Sequence, residues 1–233
     1  MSLKTTLIRA TTGLGAAALF ATAIIGVAHT PWGRPLLRLP LLNALAERAG
    51  CPVGRIEPAA FEKVRQTKLK GEVGAASARA HPALGFTLGQ TRRGAVEHWA
   101  EAQQADCKAG LVATVLECEN VAVAEGALIS HLRLQFDAEQ RLVSVDLFRQ
   151  SSDDQGLLRR FQELGRELDA QVGPATHTLG TPTLAFVKQS PLQTLVRTYG
   201  YRDYVATAML LNLGRRGLRL REQYQWLPPP APA

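Results

Sequence analysis

The chain has 233 residues, 27 basic and 20 acidic, for a net charge of +7. Five of the basic residues and one acid precede Cys51, so from Cys51 onward 22 basic residues face 19 acidic ones. The excess is concentrated near the N-terminus, which suits anionic lipid headgroups better than nucleic acid, and no nucleic-acid-binding module is recognisable.

The run Ala10–Ala28 carries no charge and is closed by Arg9 and His29. Its 19 residues, as a helix rising about 1.5 Å per residue, match a ~30 Å hydrocarbon core. Leu14, Leu19, Phe20, Ile24, Ile25 and Val27 supply most of the insertion energy, about −2 to −3.5 kcal/mol in sum. The expectation is a cytoplasmic N-terminus and one transmembrane anchor within residues 1–28, the helix running over Ala10–Ala28. A cleaved signal peptide is the alternative, with Gly26-Val27-Ala28 as its small-residue site. Lys4 and Arg9 before the run favour an inside N-terminus, which places the rest outside the cytoplasm, at the inner membrane of a bacterial envelope. Gly13-Leu14-Gly15-Ala16-Ala17-Ala18 matches a dinucleotide pattern, but no acid follows until Glu47, so the match is read as chance. The stripe Gly13, Ala17, Ala21 would let two membrane helices approach closely.

Residues 29–83 read as a juxtamembrane segment and linker. Pro31, Pro35, Pro40 and Pro52 interrupt any long helix. Trp32 suits the headgroup layer, and Leu41–Ala49 is a short helix for the membrane surface. Arg48 and Glu47 before Cys51 rule out lipidation there. Ala59–Leu69 is an expected helix with Phe61, Val64 and Leu69 on one side. Gly71–Ala83 is rich in Gly, Ala and Ser and reads as linker or exposed loop.

The folded domain is expected at 84–227. Phe86 and Leu88 begin it, and Thr91 is the expected N-cap of a helix to about Gln104 with Ala95, Val96, Trp99 and Ala102 inward. Leu111–Leu116 is a strand. Cys107 and Cys118 are expected to bridge in an oxidising compartment, adding about 3 kcal/mol. A cross-strand bridge needs its turn near Val112-Ala113, whereas the turn chemistry sits at Ala109-Gly110; a bent strand or a loop-to-strand bridge would reconcile the two. Cys51 is then left over.

Leu132, Leu134 and Phe136, then Val143, Val145 and Leu147, alternate around Asp137–Gln140 and predict a hairpin. Ser152 with Gln155 resembles a capping box opening a helix with Leu157, Leu158, Phe161, Leu164, Leu168 and Val172 on one stripe, stopped by Gly173 and Pro174. Strands follow at about 192–199, 204–213 and 217–226, and the tail 228–233 is expected to be disordered. The order is helix then strands, twice over, which predicts an α+β fold with helices packed on an antiparallel sheet in two tandem halves, about 84–150 and 151–227.

Phe86-Thr-Leu-Gly-Gln-Thr91 followed by Val96 resembles the lead-in motif of the SmpA/OmlA and β-lactamase-inhibitor-like group, and Val172-Gly173-x-Ala175 resembles its helix exit. The resemblance spans 84–227. It implies a small envelope module that binds proteins and is not an enzyme. The group's lipobox is missing, and the second half lacks the Gly-x-Thr lead-in.

His29, His81, His98, His131 and His177 stand at no metal-ligand spacing, so no metal or cofactor is expected. There is no G-x-S-x-G elbow, P-loop or H-E-x-x-H. Two groups remain as a candidate interaction surface. Tyr199, Tyr201 and Tyr204 cluster at a turn with Arg202, and Arg215, Arg216, Arg219 and Arg221 line the last turn and strand. The functional expectation is a membrane-anchored extracytoplasmic binding or scaffold module with a protein partner and without catalysis. The alternatives are an envelope enzyme with a spatially assembled site, around His131 or His177, and an anchored domain facing the cytoplasm.

Overall fold

The computed structural model describes residues 57–122 and 128–228, a compact unit beginning at Glu57. The expected membrane helix, the juxtamembrane helix Leu41–Ala49, Cys51 and the tail from 229 lie outside the described residues. Among the described residues no helix is long and apolar enough to cross a membrane.

The unit is α+β. Helix α1 (Pro58–Leu69) leads into a strap that ends in the two-residue strands β1 (Pro82–Ala83) and β2 (Phe86–Thr87). Helix α2 (Arg93–Ala102) precedes β3 (Asp106–Ala109), β4 (Val115–Ala122), β5 (Leu128–Phe136) and β6 (Leu142–Gln150). Helix α3 (Asp154–Gln171) precedes β7 (His177–Leu179), the single turn α4 (Leu184–Val187), β8 (Thr194–Tyr201), β9 (Tyr204–Asn212) and β10 (Leu218–Trp226). All eight strands from β3 onward form one antiparallel sheet in the order β3-β4-β5-β6-β10-β9-β8-β7. The two expected halves are therefore two four-stranded meanders joined at a seam, β6 against β10.

Strand alternation assigns the two faces. On the inner face lie Leu132 and Leu134, Val145 and Leu147, Leu218 and Leu220, Ala206, Ala208 and Leu210, all buried. Helix α3 lays its stripe Leu157, Leu158, Phe161, Leu164 and Leu168 onto this face, with Val172 buried at its end. The left-handed Gly173 follows, as the sequence predicts. Gly165 sits mid-helix at a cost of roughly 1 kcal/mol relative to Ala. A Cβ there would displace the Arg197 guanidinium, which reaches Asp169 at 2.8 Å.

The outer face carries Glu117, Arg133, Gln135, Asp146, Phe148, Arg221, Gln223 and Met209. Part of it is covered by α1, so the helices do not all share one side of the sheet. The α1 face also differs from expectation: Val64 is 53% exposed, and Arg65 is the residue that turns inward. Arg65 Nη1 donates to Gln225 Oε1 at 3.1 Å and to the Trp226 carbonyl at 2.9 Å, while its Nε is held by Glu62. Two sheet acceptors and a carboxylate thus outweigh the apolar preference of Val64.

Residues 71–83 are not a free linker. Gly74 N donates to the Gly200 carbonyl at 3.1 Å, Arg202 N to the Ala76 carbonyl at 2.8 Å, and Arg79 N to the Val172 carbonyl at 3.2 Å. A Cβ on Gly200 would overlap the Glu72 carbonyl oxygen, so the small-residue composition serves close approach of two backbones as well as flexibility.

Two helix starts differ from the sequence reading. Arg92, not Thr91, precedes α2; the Thr91 hydroxyl instead accepts from Thr87 N at 3.1 Å and closes the turn before the helix. Ala95 and Ala102 are exposed, and Val96 and Ala100 are the buried positions. Asp153, not Ser152, occupies the N-cap of α3. The backbone N–H of Gly156, with Arg159 and the Gln155 N–H behind it, holds the Asp153 carboxyl below the usual carboxylate range.

Candidate functional site

A cleft of about 580 Å3 opens on the inner side of the sheet, between α2, α3 and the β1–β2 segment. The helices on its two sides differ in length: the 18 residues of α3 extend about 27 Å and the 10 of α2 about 15 Å.

The walls mix apolar and polar side chains. Leu164 and Leu168 come from α3, Ala83, Leu84 and Phe86 from the β1–β2 segment, and Trp99 from α2. Phe86 and Trp99 meet edge to face, ring centres 5.3 Å apart. Gln103, Gln171 and the Arg160–Glu167 ion pair at 2.8 Å also line it.

The floor is ionic. Arg149 on β6 and Glu222 on β10 are diagonal neighbours across the seam and are 3% and 1% exposed. Arg149 Nε donates to Glu222 Oε1 at 2.5 Å, and the Tyr224 hydroxyl donates to Glu222 Oε2 at 2.6 Å. Burial pushes the Tyr224 phenol well above its ordinary range, and the Glu222 charge pushes it further the same way, so Tyr224 stays a donor. Arg149 Nη1 is buried and finds no hydrogen-bond acceptor among the described residues. Leaving such a donor unmet costs about 1–3 kcal/mol. The Arg149 side chain lines the cleft and carries this unmet donor within the floor.

None of these floor residues was singled out by the sequence reading. Arg149 and Glu222 are 73 positions apart, and each reads locally as a polar residue in an alternating strand. The one available hint was a charged residue at an inward position of each strand, Arg149 in phase with Val145 and Leu147, Glu222 in phase with Leu218 and Leu220.

The expected interaction residues fall into two groups. Tyr199, Tyr201 and Tyr204 are buried, so they are pegs and not a surface. Tyr199 donates to the Gly165 carbonyl at 3.0 Å, Tyr201 to the Pro174 carbonyl at 3.0 Å and Tyr204 to the Pro82 carbonyl at 2.5 Å. Burial raises the phenols of Tyr199 and Tyr204 beyond the ordinary tyrosine range. Arg202 fastens the strap through Ser77. Arg215 and Arg216 are exposed. Arg219 turns to its neighbour's carbonyl, and Arg221 makes a two-pronged pair with Asp146 at 2.9 and 2.7 Å over the Phe148 ring. The arginines therefore do not converge with the tyrosines.

Cys107 and Cys118 form a disulfide between paired residues of β3 and β4. The turn falls at Val112–Thr114, where a cross-strand bridge requires it, and Leu111 is 78% exposed instead of opening a strand. His131 stands opposite Glu119 on the outer face and His177 is exposed on β7, so neither lines the cleft. Among the described residues no group of three or more His, Cys, Asp or Glu is placed to hold a metal.

No family model and no curated protein matches the chain. Among solved structures it is similar to a DUF4309 family protein, YjgB, from Bacillus subtilis subsp. subtilis str. 168. Sequence identity is 14%, the match covers 70% of this chain and 92% of that one, and the TM-score is 0.32. A likeness this slight carries no argument about this chain.

Proposed function

We propose that the chain is a membrane-tethered module of the bacterial envelope, acting outside the cytoplasm, that binds a small molecule in the α2–α3 cleft without transforming it. The observation that carries this reading is Arg149, a buried guanidinium with one unmet nitrogen that lines a cleft of about 580 Å3. The volume falls in the range of ligand sites, and the apolar patch of Leu164, Leu168, Phe86 and Trp99 stands beside convergent polar groups. The buried carboxylate, Glu222, is held by Arg149 and Tyr224, an arrangement suited to orienting a ligand. The disulfide supports an oxidising compartment. The uncharged run Ala10–Ala28 supports the tether. The helix-then-meander order, taken twice, supports the resemblance to SmpA/OmlA and β-lactamase-inhibitor-like modules.

The test is a fragment library of neutral, acidic and basic compounds added to the full-length chain in detergent micelles. The Trp99 indole and Arg149 Nε–H signals are followed by nuclear magnetic resonance. Compounds that shift both signals and are recovered chemically unchanged are the expected result; a library in which none moves either signal sinks the reading. Protease accessibility in spheroplasts with a non-reducing gel tests the side of the membrane. Protection of 57–228 from external protease, with reduced thiols, would remove the extracytoplasmic part.

A further inference from the structure

The charge count of the cleft narrows what it takes. Arg149 is neutralised by Glu222 and Arg160 is paired with Glu167, so the four ionised groups sum to zero. The unmet group is a donor, Arg149 Nη1, and both carboxylates line the same cleft. A ligand carboxylate would bring a third negative charge to two positive ones against a buried floor, where Arg149 and Glu222 are 3% and 1% exposed, and an unbalanced charge there is disfavoured. A ligand cation would meet a donor with nothing to offer it. A neutral carbonyl oxygen satisfies Nη1 and leaves the balance intact. The walls Leu164, Leu168, Phe86 and Trp99 suit an apolar or aromatic body, and the amides of Gln103 and Gln171 can pair with a second polar group at the mouth.

We propose that the ligand is a neutral, largely apolar molecule presenting a carbonyl oxygen, an amide or an ester, to Arg149 at the seam. The proposal rests on the cleft being a binding site and adds the ligand's charge class. Glu222 is then the selectivity residue, excluding acids by its charge.

A matched pair of probes tests it. 1-Naphthaleneacetamide and 1-naphthaleneacetate share one body and differ in the head group. They are titrated at pH 7 into the full-length chain in micelles, with calorimetry for affinity and the Trp99 and Arg149 signals for location. The amide is expected to bind at least about tenfold more tightly, since burying one unbalanced charge costs well over the 1.4 kcal/mol that a factor of ten represents. In Glu222→Gln, which keeps an acceptor for Tyr224 but leaves Arg149 uncompensated, the preference is expected to shrink or reverse. Equal or tighter binding of the acid to the native chain overturns the ligand class while leaving the cleft a binding site. A preference for the amide that survives intact in Glu222→Gln also overturns it. If neither probe moves the two signals the proposal fails, and the fragment screen then decides whether the binding reading fails with it. If Glu222→Gln does not fold, the native comparison alone remains decisive.

Discussion

The two meanders of the sheet are built by the same sequence of elements and held by different means. The second, β7–β10, is covered by the 18-residue α3, whose five buried apolar residues from Leu157 to Leu168 lie on its inner face. It also contains all four tyrosines of the chain, each hydroxyl bonded to a backbone carbonyl or carboxylate. The first, β3–β6, has the 10-residue α2, which buries Val96 and Ala100, and a disulfide across its outermost pair of strands. One half is thus stabilised by the apolar stripe of a long helix and the other partly by a covalent link. The cleft opens over the seam between them.

The largest way to break the arrangement is at the seam. Arg149→Met is expected to cost about 3–5 kcal/mol, because it leaves Glu222 buried without its cation. Replacing Arg149, Glu222 and Tyr224 together by Met, Leu and Phe should recover most of that loss, read from urea midpoints of the two proteins. A triple variant as unstable as the single one would mean the floor is held by something other than charge pairing.

The tyrosines make the second half the alkali-sensitive one. Tyr199, Tyr204 and Tyr224 have folded pKa values raised above their unfolded value near 10. The folded state therefore keeps protons that the unfolded chain loses. Stability is fully present below about pH 10 and falls as pH rises toward the folded values. The slope is about 1.4 kcal/mol per pH unit for each tyrosine, so the three together remove about 4 kcal/mol by pH 11. Urea unfolding at pH 8, 10 and 11 checks this, and Tyr204→Phe should flatten the fall by about a third.

Reducing Cys107–Cys118 should cost about 3 kcal/mol by loop-closure entropy, slightly less than the alkaline effect. Hydrogen exchange is expected to rise in β3 and β4 while α3 stays protected. Uniform acceleration in both meanders would show that the halves are not separately supported. The smallest effect is expected at α2. Val96→Ala removes two buried methyl-sized groups and should cost about 2 kcal/mol by thermal unfolding, less than any substitution to Ala of a buried leucine on α3.

The sequence reading was most successful where an apolar period ran uninterrupted. The stripe of α3, the hairpin β5–β6 and the strands β8 to β10 each repeat a pattern long enough to set both element and face. It was least successful where a polar group reversed the ordinary rule. Arg65 turns inward because Gln225 and Trp226 receive it beside Glu62, and only Glu62, three residues earlier, is near it in sequence. The turn at Val112–Thr114 contains neither Gly nor Pro, so the local chemistry at Ala109-Gly110 was the stronger signal, although the spacing of the cysteines asked for the observed turn. The short edge strand β7 lay in a stretch of Thr, Gly and Pro and gave no periodic signal at all.

Local pattern alone therefore determined the α+β class, the order of the main elements and the pairing of Cys107 with Cys118, because these depend on residues at most about a dozen positions apart. Which strands meet at the seam, and what stands there, was decided only by tertiary structure. Antiparallel pairing of β6 with β10 joins positions 73 residues apart at Arg149 and Glu222, and only the placement of α2, α3 and the β1–β2 segment around the seam makes that ion pair the floor of a cleft.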